Sequence, residues 1–173
     1  MMHMKDGKDD MQLVTLGIDQ EVFAVPVEAV VEILDMRPMF RLPEAPSFLA
    51  GLIDVRGRSV PVIDLRVKLG LPSADATDST RILVLEIDLK SRRLVLGLIA
   101  DRVFEVMALD RDRIEPPPEI GIGWRSEYIL GIGRRHDSFV IVFNLPRLFS
   151  SDELAFFGND LSLSGTEPAS LQI

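Results

Sequence analysis

Catalysis needs a nucleophile with a base, a metal-ligand cluster, or paired carboxylates in a pocket, and this chain of 173 residues offers little of that kind. It has no cysteine, which excludes thiolate nucleophiles, disulfides and cysteine-based metal sites. Its two histidines are His3, in a charged N-terminal stretch, and His136, in the turn-like phrase RRHDS. A solvated imidazole is expected at His136, and no histidine triad or zinc site can be assembled. Gly-x-Gly occurs at 121–123 and 131–133, but neither opens a helix or precedes the lysine of a phosphate loop. Carboxylates are plentiful, yet Asp35, Glu86, Asp88, Asp101, Glu105 and Asp110 fall at strand ends or on alternating faces, as solvated residues of a half-buried sheet would. A converging carboxylate pair, working as in a glycosidase, stays open as a lesser reading. No catalytic residue, metal site or cofactor is assigned.

The formal net charge of −8 would repel a phosphate backbone unless basic residues gathered on one face. The nearest basic clusters, Arg92-Arg93 and Arg134-Arg135, sit where hairpin turns are expected, so nucleic acid is not an expected partner. No apolar run approaches the ~18 residues of a membrane helix. The opening MMHMKDGKDD has no signal-peptide core. A cytoplasmic protein without direct membrane insertion is expected.

The elements that must position any site are short and β-rich. QLVTLGI and EVFAVPV predict a hairpin across Asp19-Gln20, Pro26 opens one helical turn that puts Val27 and Val30 on one face, and VVEILD continues as a strand. LIDV and SVPVIDL predict strands joined across Arg56-Gly57-Arg58. DLRVKLG reads as a short helix capped by Asp64 and stopped by Gly70. RILVLEI, RRLVLGLIA, RVFEVMAL, YILGIGR and SFVIVFNL follow as strands, interrupted by an irregular Pro-rich connection from Pro116 to Gly123. Ser151, Asp152 and Glu153 cap a final helix that Gly158 should stop.

An internal repeat underlies this order. FLAGLIDVRGRSVPVIDLRVKL aligns without a gap on YILGIGRRHDSFVIVFNLPRLF: Gly51 falls on Gly131, Val60 on Val140, Val62 on Val142, Asp64 on Asn144 and Leu65 on Leu145, each 80 positions later. VVEIL from Val30 aligns on VFEVM from Val103, 73 positions later. Two copies of a five-stranded β unit are expected, and so small a sheet hides its edges best by curling into a barrel. The expected division is an arm at 1–10, a first barrel at 11–72, a linker at 73–80, a second barrel at 81–150, a helix at 151–158 and a loose tail at 159–173.

LVTLGIDQEVFAVPV, AVVEIL, LVLGLIADRVFEVMAL, YILGIG and, above all, the phrase PSFLAGLIDVRGRSVPVIDL from Pro46 to Leu65 resemble the CheW family of chemotaxis adaptors. The resemblance runs from about Gln12 to Phe149. It implies a mainly β fold of two SH3-like five-stranded barrels with a few short helices, and a non-catalytic scaffold coupling chemoreceptors to a histidine kinase. The implied partners are the cytoplasmic tip of the receptors and the regulatory domain of the kinase CheA, met in arrays at the inner face of the membrane. By position the resemblance makes Arg56 a receptor contact, with Gly57, Asp54 and Glu32 as further candidates; Val27 and Val30 on the turn after Pro26, with Val14 on the neighbouring strand, either form a kinase-facing apolar patch or pack in the core. Asp54 stands where the family usually has asparagine; it keeps the size but loses the amide donor and adds charge. Arg56 either reaches a partner or pins its own hairpin. An adaptor serving pili or biofilm pathways, and an unrelated β-barrel module binding peptides, are the alternatives.

Overall fold

The computed structural model describes residues 10–90, 92–117 and 126–161. The arm at 1–9 with His3, the glycines at 121 and 123, and the tail from residue 162 lie outside them. The first half supplies β1 (Asp10–Ile18), β2 (Glu21–Pro26), β3 (Val30–Asp35), β4 (Leu49–Val55) and β5 (Arg58–Asp64), then helix α1 (Leu65–Lys68). The second supplies β6 (Arg81–Asp88), β7 (Arg93–Ala100), β8 (Arg102–Asp110), β9 (Ile129–Arg135), β10 (Ser138–Phe143) and helix α2 (Ser151–Leu161). A 3-10 turn at Val27–Ala29 follows Pro26, and the Asp64 carboxylate caps α1 by accepting from the Arg66 N–H at 3.1 Å.

The strands form two five-stranded sheets, ordered β8-β1-β2-β10-β9 and β3-β6-β7-β5-β4. Replacing each strand by its equivalent in the other half converts one order into the other, so the repeat seen in the sequence is carried into the pairing. It does not divide the chain as expected. The segments 11–72 and 81–150 are not separate sheets: β1 and β2 pair beside β8, β9 and β10, while β6 and β7 pair beside β3, β4 and β5. Each unit takes its hairpin from the opposite half. The joints are parallel, β2 beside β10 and β7 beside β5, and a parallel neighbour is reached by a crossover, which local hydrophobic pattern does not encode.

The exchange explains why the central strands read as continuous apolar runs rather than alternating ones. Phe23, Val25, Ile141 and Phe143 point into a large core shared with Ile63, Leu83, Leu85 and Leu96 of the other sheet. Their neighbours Ala24, Val140 and Val142 point the opposite way, into a small core of their own sheet. Ile53, Val60, Val62 and Ile82 do the same on the second sheet. At these positions both faces of the central strands are therefore buried. The matched glycines of the repeat share a cause too: a Cβ on Gly51 would collide with the Phe40 carbonyl and one on Gly131 with the Glu115 carbonyl, where bridges Phe40–Leu52 and Glu115–Ile132 cross.

Two polar contacts hold the halves in register. Arg66 of α1 grips Asp101 in a bidentate pair, at 3.1 and 2.9 Å, and reaches Asp19 at 3.3 Å; Asp101 also accepts the Asp19 N–H at 2.7 Å. The β1–β2 turn, the β7–β8 turn and α1 are thus tied together, and Asp101 is an internal ligand rather than the solvated carboxylate the sequence suggests. Lys68, its side chain only 4% exposed, donates to Glu153 of α2 at 2.7 Å. Its ammonium lies 4.7 Å from the Phe48 ring centroid and 5.1 Å from that of Tyr128, two equivalent positions of the repeat, with Phe149 also at 5.1 Å. Helix α2 is started by a reciprocal cap between Ser150 and Glu153, one residue before the expected Ser151. It runs past the expected stop at Gly158 to Leu161; an interior glycine costs only about 1 kcal/mol, and the buried Phe157 and the Lys68 contact hold the helix down.

Burial opposes ionisation of Asp101, but hydrogen bonds from Arg66 and the Asp19 N–H, with the Arg66 charge, outweigh it and lower its pKa. Glu153 behaves alike, burial being outweighed by Lys68 and Ser150. Carboxyls depressed in the folded state contribute stability above their unfolded pKa of ~4 that is lost as pH falls through the folded value. The double variant Asp101→Asn/Glu153→Gln should therefore be less stable at pH 7, with a flatter decline of Tm between pH 5 and pH 2. Parallel acid limbs in the two proteins would show that these carboxyls do not govern it.

Candidate partner-binding site

The β4–β5 hairpin turns on two residues. Arg56 has φ 54° and Gly57 φ 85°; two successive positive values define a type I′ turn, which glycine adopts freely and arginine only at a cost of ~1–2 kcal/mol. Asp54 stabilises the turn by accepting the Gly57 N–H at 2.9 Å. That bond needs an acceptor alone, so aspartate serves it as asparagine would. From this fixed backbone Arg56 projects outward with its side chain 80% exposed, and one nitrogen lies 3.4 Å from Glu32 of β3, itself 24% exposed. Four receptor-facing candidates, Asp54, Arg56, Gly57 and Glu32, are thus brought together from two elements.

Glu32 owes its position to a β-bulge. Val30 pairs with Leu85 and Glu32 with Val84, which leaves Val31 as an extra residue. A bulge of this kind re-aims side chains: Val31 and Ile33 stand exposed on either side of Glu32. The second sheet edge repeats the device, since Val106 pairs with Val14 and Val103 with Leu16. There the buried Thr15 hydroxyl donates to the Glu105 carbonyl at 2.7 Å and accepts its N–H at 3.0 Å. Phe104, Glu105 and Val106 are consequently all exposed. His136 occupies the place of Arg56, also at positive φ, with Nε2 3.8 Å from Glu105. Arg135 takes the main ion pair with Glu105 at 2.9 Å. In both sheets an ion pair links the bulged edge strand to the opposite end of the sheet, as curling requires. Sequence reasoning passed over Val31, Ile33, Phe104 and Val106, although VVEIL and VFEVM place apolar residues on both sides of a glutamate.

The apolar trio does not form one exposed patch. Val14 is 4% exposed and belongs to the shared core, on the same inward face of β1 as Leu16 and Ile18. As a kinase-facing contact it is withdrawn. Val27 and Val30 are half-buried and pack on the same core. Among the described residues no group of three or more His, Asp or Glu side chains could hold a metal, and no helix is long and apolar enough to cross a membrane.

The chain is thus a duplicated pair of five-stranded sheets in which Arg56 and Glu32 meet at an exposed hairpin. The CheW-like domain model matches residues 12–153, and the chain belongs to that family. It is 30% identical over 156 residues to the chemotaxis protein CheW of Treponema pallidum, covering 90% of this chain and 92% of that protein. Against the chemotaxis protein CheW of Klebsiella aerogenes the identity is 31% over 145 residues, 84% of each chain. A crystal structure of the scaffolding protein TtCheW from Thermoanaerobacter tengcongensis superposes with a TM-score of 0.73 at 29% identity, covering 83% of this chain and 90% of that one.

Arg56 makes an exposed ion pair of ~0–1 kcal/mol at a backbone conformation it tolerates poorly. Arg56→Asn should accordingly change the urea unfolding free energy by less than about 1 kcal/mol, since asparagine suits the left-handed position. A loss above about 2 kcal/mol would mean that the arginine pins its own hairpin.

Proposed function

We propose that this protein is a non-catalytic adaptor coupling chemoreceptors to a CheA-type histidine kinase. The observation that carries the reading is Arg56: an exposed guanidinium, held on a strained turn within the phrase from Pro46 to Leu65, with Glu32 orienting it. A guanidinium on a fixed stem can take a carboxylate of a receptor helix bidentately at little entropic cost. Val27 and Val30, half-buried on the turn after Pro26, remain the kinase-facing candidates. A protein of this kind works by contacting its partners' signalling states unequally, which biases their equilibrium without chemistry of its own. Its place would be the cytoplasm, at receptor arrays on the inner face of the membrane.

Binding to an isolated CheA regulatory domain and to a receptor-tip fragment, measured by calorimetry, tests the proposal; failure to bind either would sink it. Within it, Arg56→Glu should weaken the receptor tip by tenfold or more, about 1.4 kcal/mol, and leave kinase affinity within about twofold. Equal loss toward both partners would remove Arg56 from the receptor contact.

A further inference from the structure

One valine from each strand of the second sheet, Val31, Val55, Val60, Val84 and Val95, lines an open mouth of about 200 Å³. Its rim carries Glu32, Arg56, Arg58 and Glu86. The repeat tells what such a mouth accepts. On the other sheet Phe104 stands at the position of Val31, Arg135 at that of Val55 and Val140 at that of Val60. Gly17 holds the place of Glu86, for Gly17 pairs with Val22 as Glu86 pairs with Val95. The Phe104 ring lies across Gly17, where an added Cβ would stand 3.1 Å from it. The Arg135 guanidinium covers the ring at 4.9 Å and Arg102 sits at 6.0 Å. At the equivalent place of the first sheet the chain's own partly exposed Phe104 ring lies over Gly17 beside an arginine; the second sheet has a valine, space and an arginine.

We propose that the valine-lined mouth binds one bulky apolar side chain, aromatic or long aliphatic, of a partner protein that also presents a carboxylate to Arg56. An apolar cavity of ~150 Å³ suffices to hold benzene, so the volume suits a ring. Arg56 spends one contact on Glu32 and keeps further donors for an incoming acid. A second copy of this chain fits badly. Among the described residues its exposed phenylalanines are flanked by arginines, Phe139 by Arg134 at 4.7 Å, Phe104 by Arg102 and Arg135, and Phe40 by Arg41 in sequence. Docking any of them would set arginine against Arg56 and Arg58. Taking the partner to be the receptor tip rests on the adaptor reading; the site itself does not.

The test copies the arrangement of Phe104 over Gly17 into the open mouth with Val31→Phe/Glu86→Gly. In methyl-labelled wild-type protein, millimolar N-acetylphenylalaninamide should shift the five valine methyls, and the double variant should lose those shifts and bind the receptor-tip fragment at least tenfold more weakly. Unmoved valine methyls, or a folded double variant that keeps wild-type affinity for the tip, would overturn the proposal. Should the double variant fail to fold, the wild-type methyl titration decides. If wild-type protein binds no receptor tip, the adaptor reading fails while the titration still rules on the site.

Discussion

Everything in this molecule depends on the exchange of hairpins between its halves. Neither sheet can be completed from one half of the sequence, because β1–β2 and β6–β7 each close the other half's three strands. The exchange crosses the chain over the boundary between the units and forces both to fold as one body. It also places a core of 23 buried residues, among those described, between the sheets, so that burial, the largest favourable term in folding, is shared instead of being divided between two small barrels. Small units with separate cores would be marginal.

Symmetry in the apolar framework is matched by asymmetry in the polar residues. The positions of Arg66 and Lys68 correspond to Pro146 and Leu148 in the second half. One copy of the repeat therefore provides the cations that lock the turns and dock α2, while the other provides apolar packing. Lys68, seated between the equivalent rings of Phe48 and Tyr128, marks the place where the halves meet. Arg56 against His136, and Val31 against Phe104, differ in the same manner at the bulged edges. The repeat thus carries unequal residues on equivalent backbones.

Much of this was legible in the residues. Turn glycines, the Asp64 cap, the β-rich runs and the offsets of 80 and 73 announced the elements and the repeat. Local rules succeed there because capping, turn type and alternation involve residues close in sequence. Val14 went wrong because which face of β1 is covered is decided by the other sheet packed on it: Val14, Leu16 and Ile18 all line the shared core. The extent of α2 was missed for a similar reason: Gly158 signals a stop locally, but packing of Phe157 on the core overrides it.

By itself, then, the sequence determined which segments are strands, that they occur twice, that an arginine and a glycine occupy a tight turn, and that the residues for common catalytic constellations are scarce. These follow from backbone preference and composition, which need no knowledge of neighbours. Only the tertiary structure decided which strands share a sheet, that Glu32 meets Arg56, that Asp101 and Glu153 are internal anchors, and that a ring covers Gly17 on one sheet while the equivalent place on the other stands open. Such pairings depend on crossovers and bulges that bring distant residues together, and a run of valines reads the same whichever partner it finds.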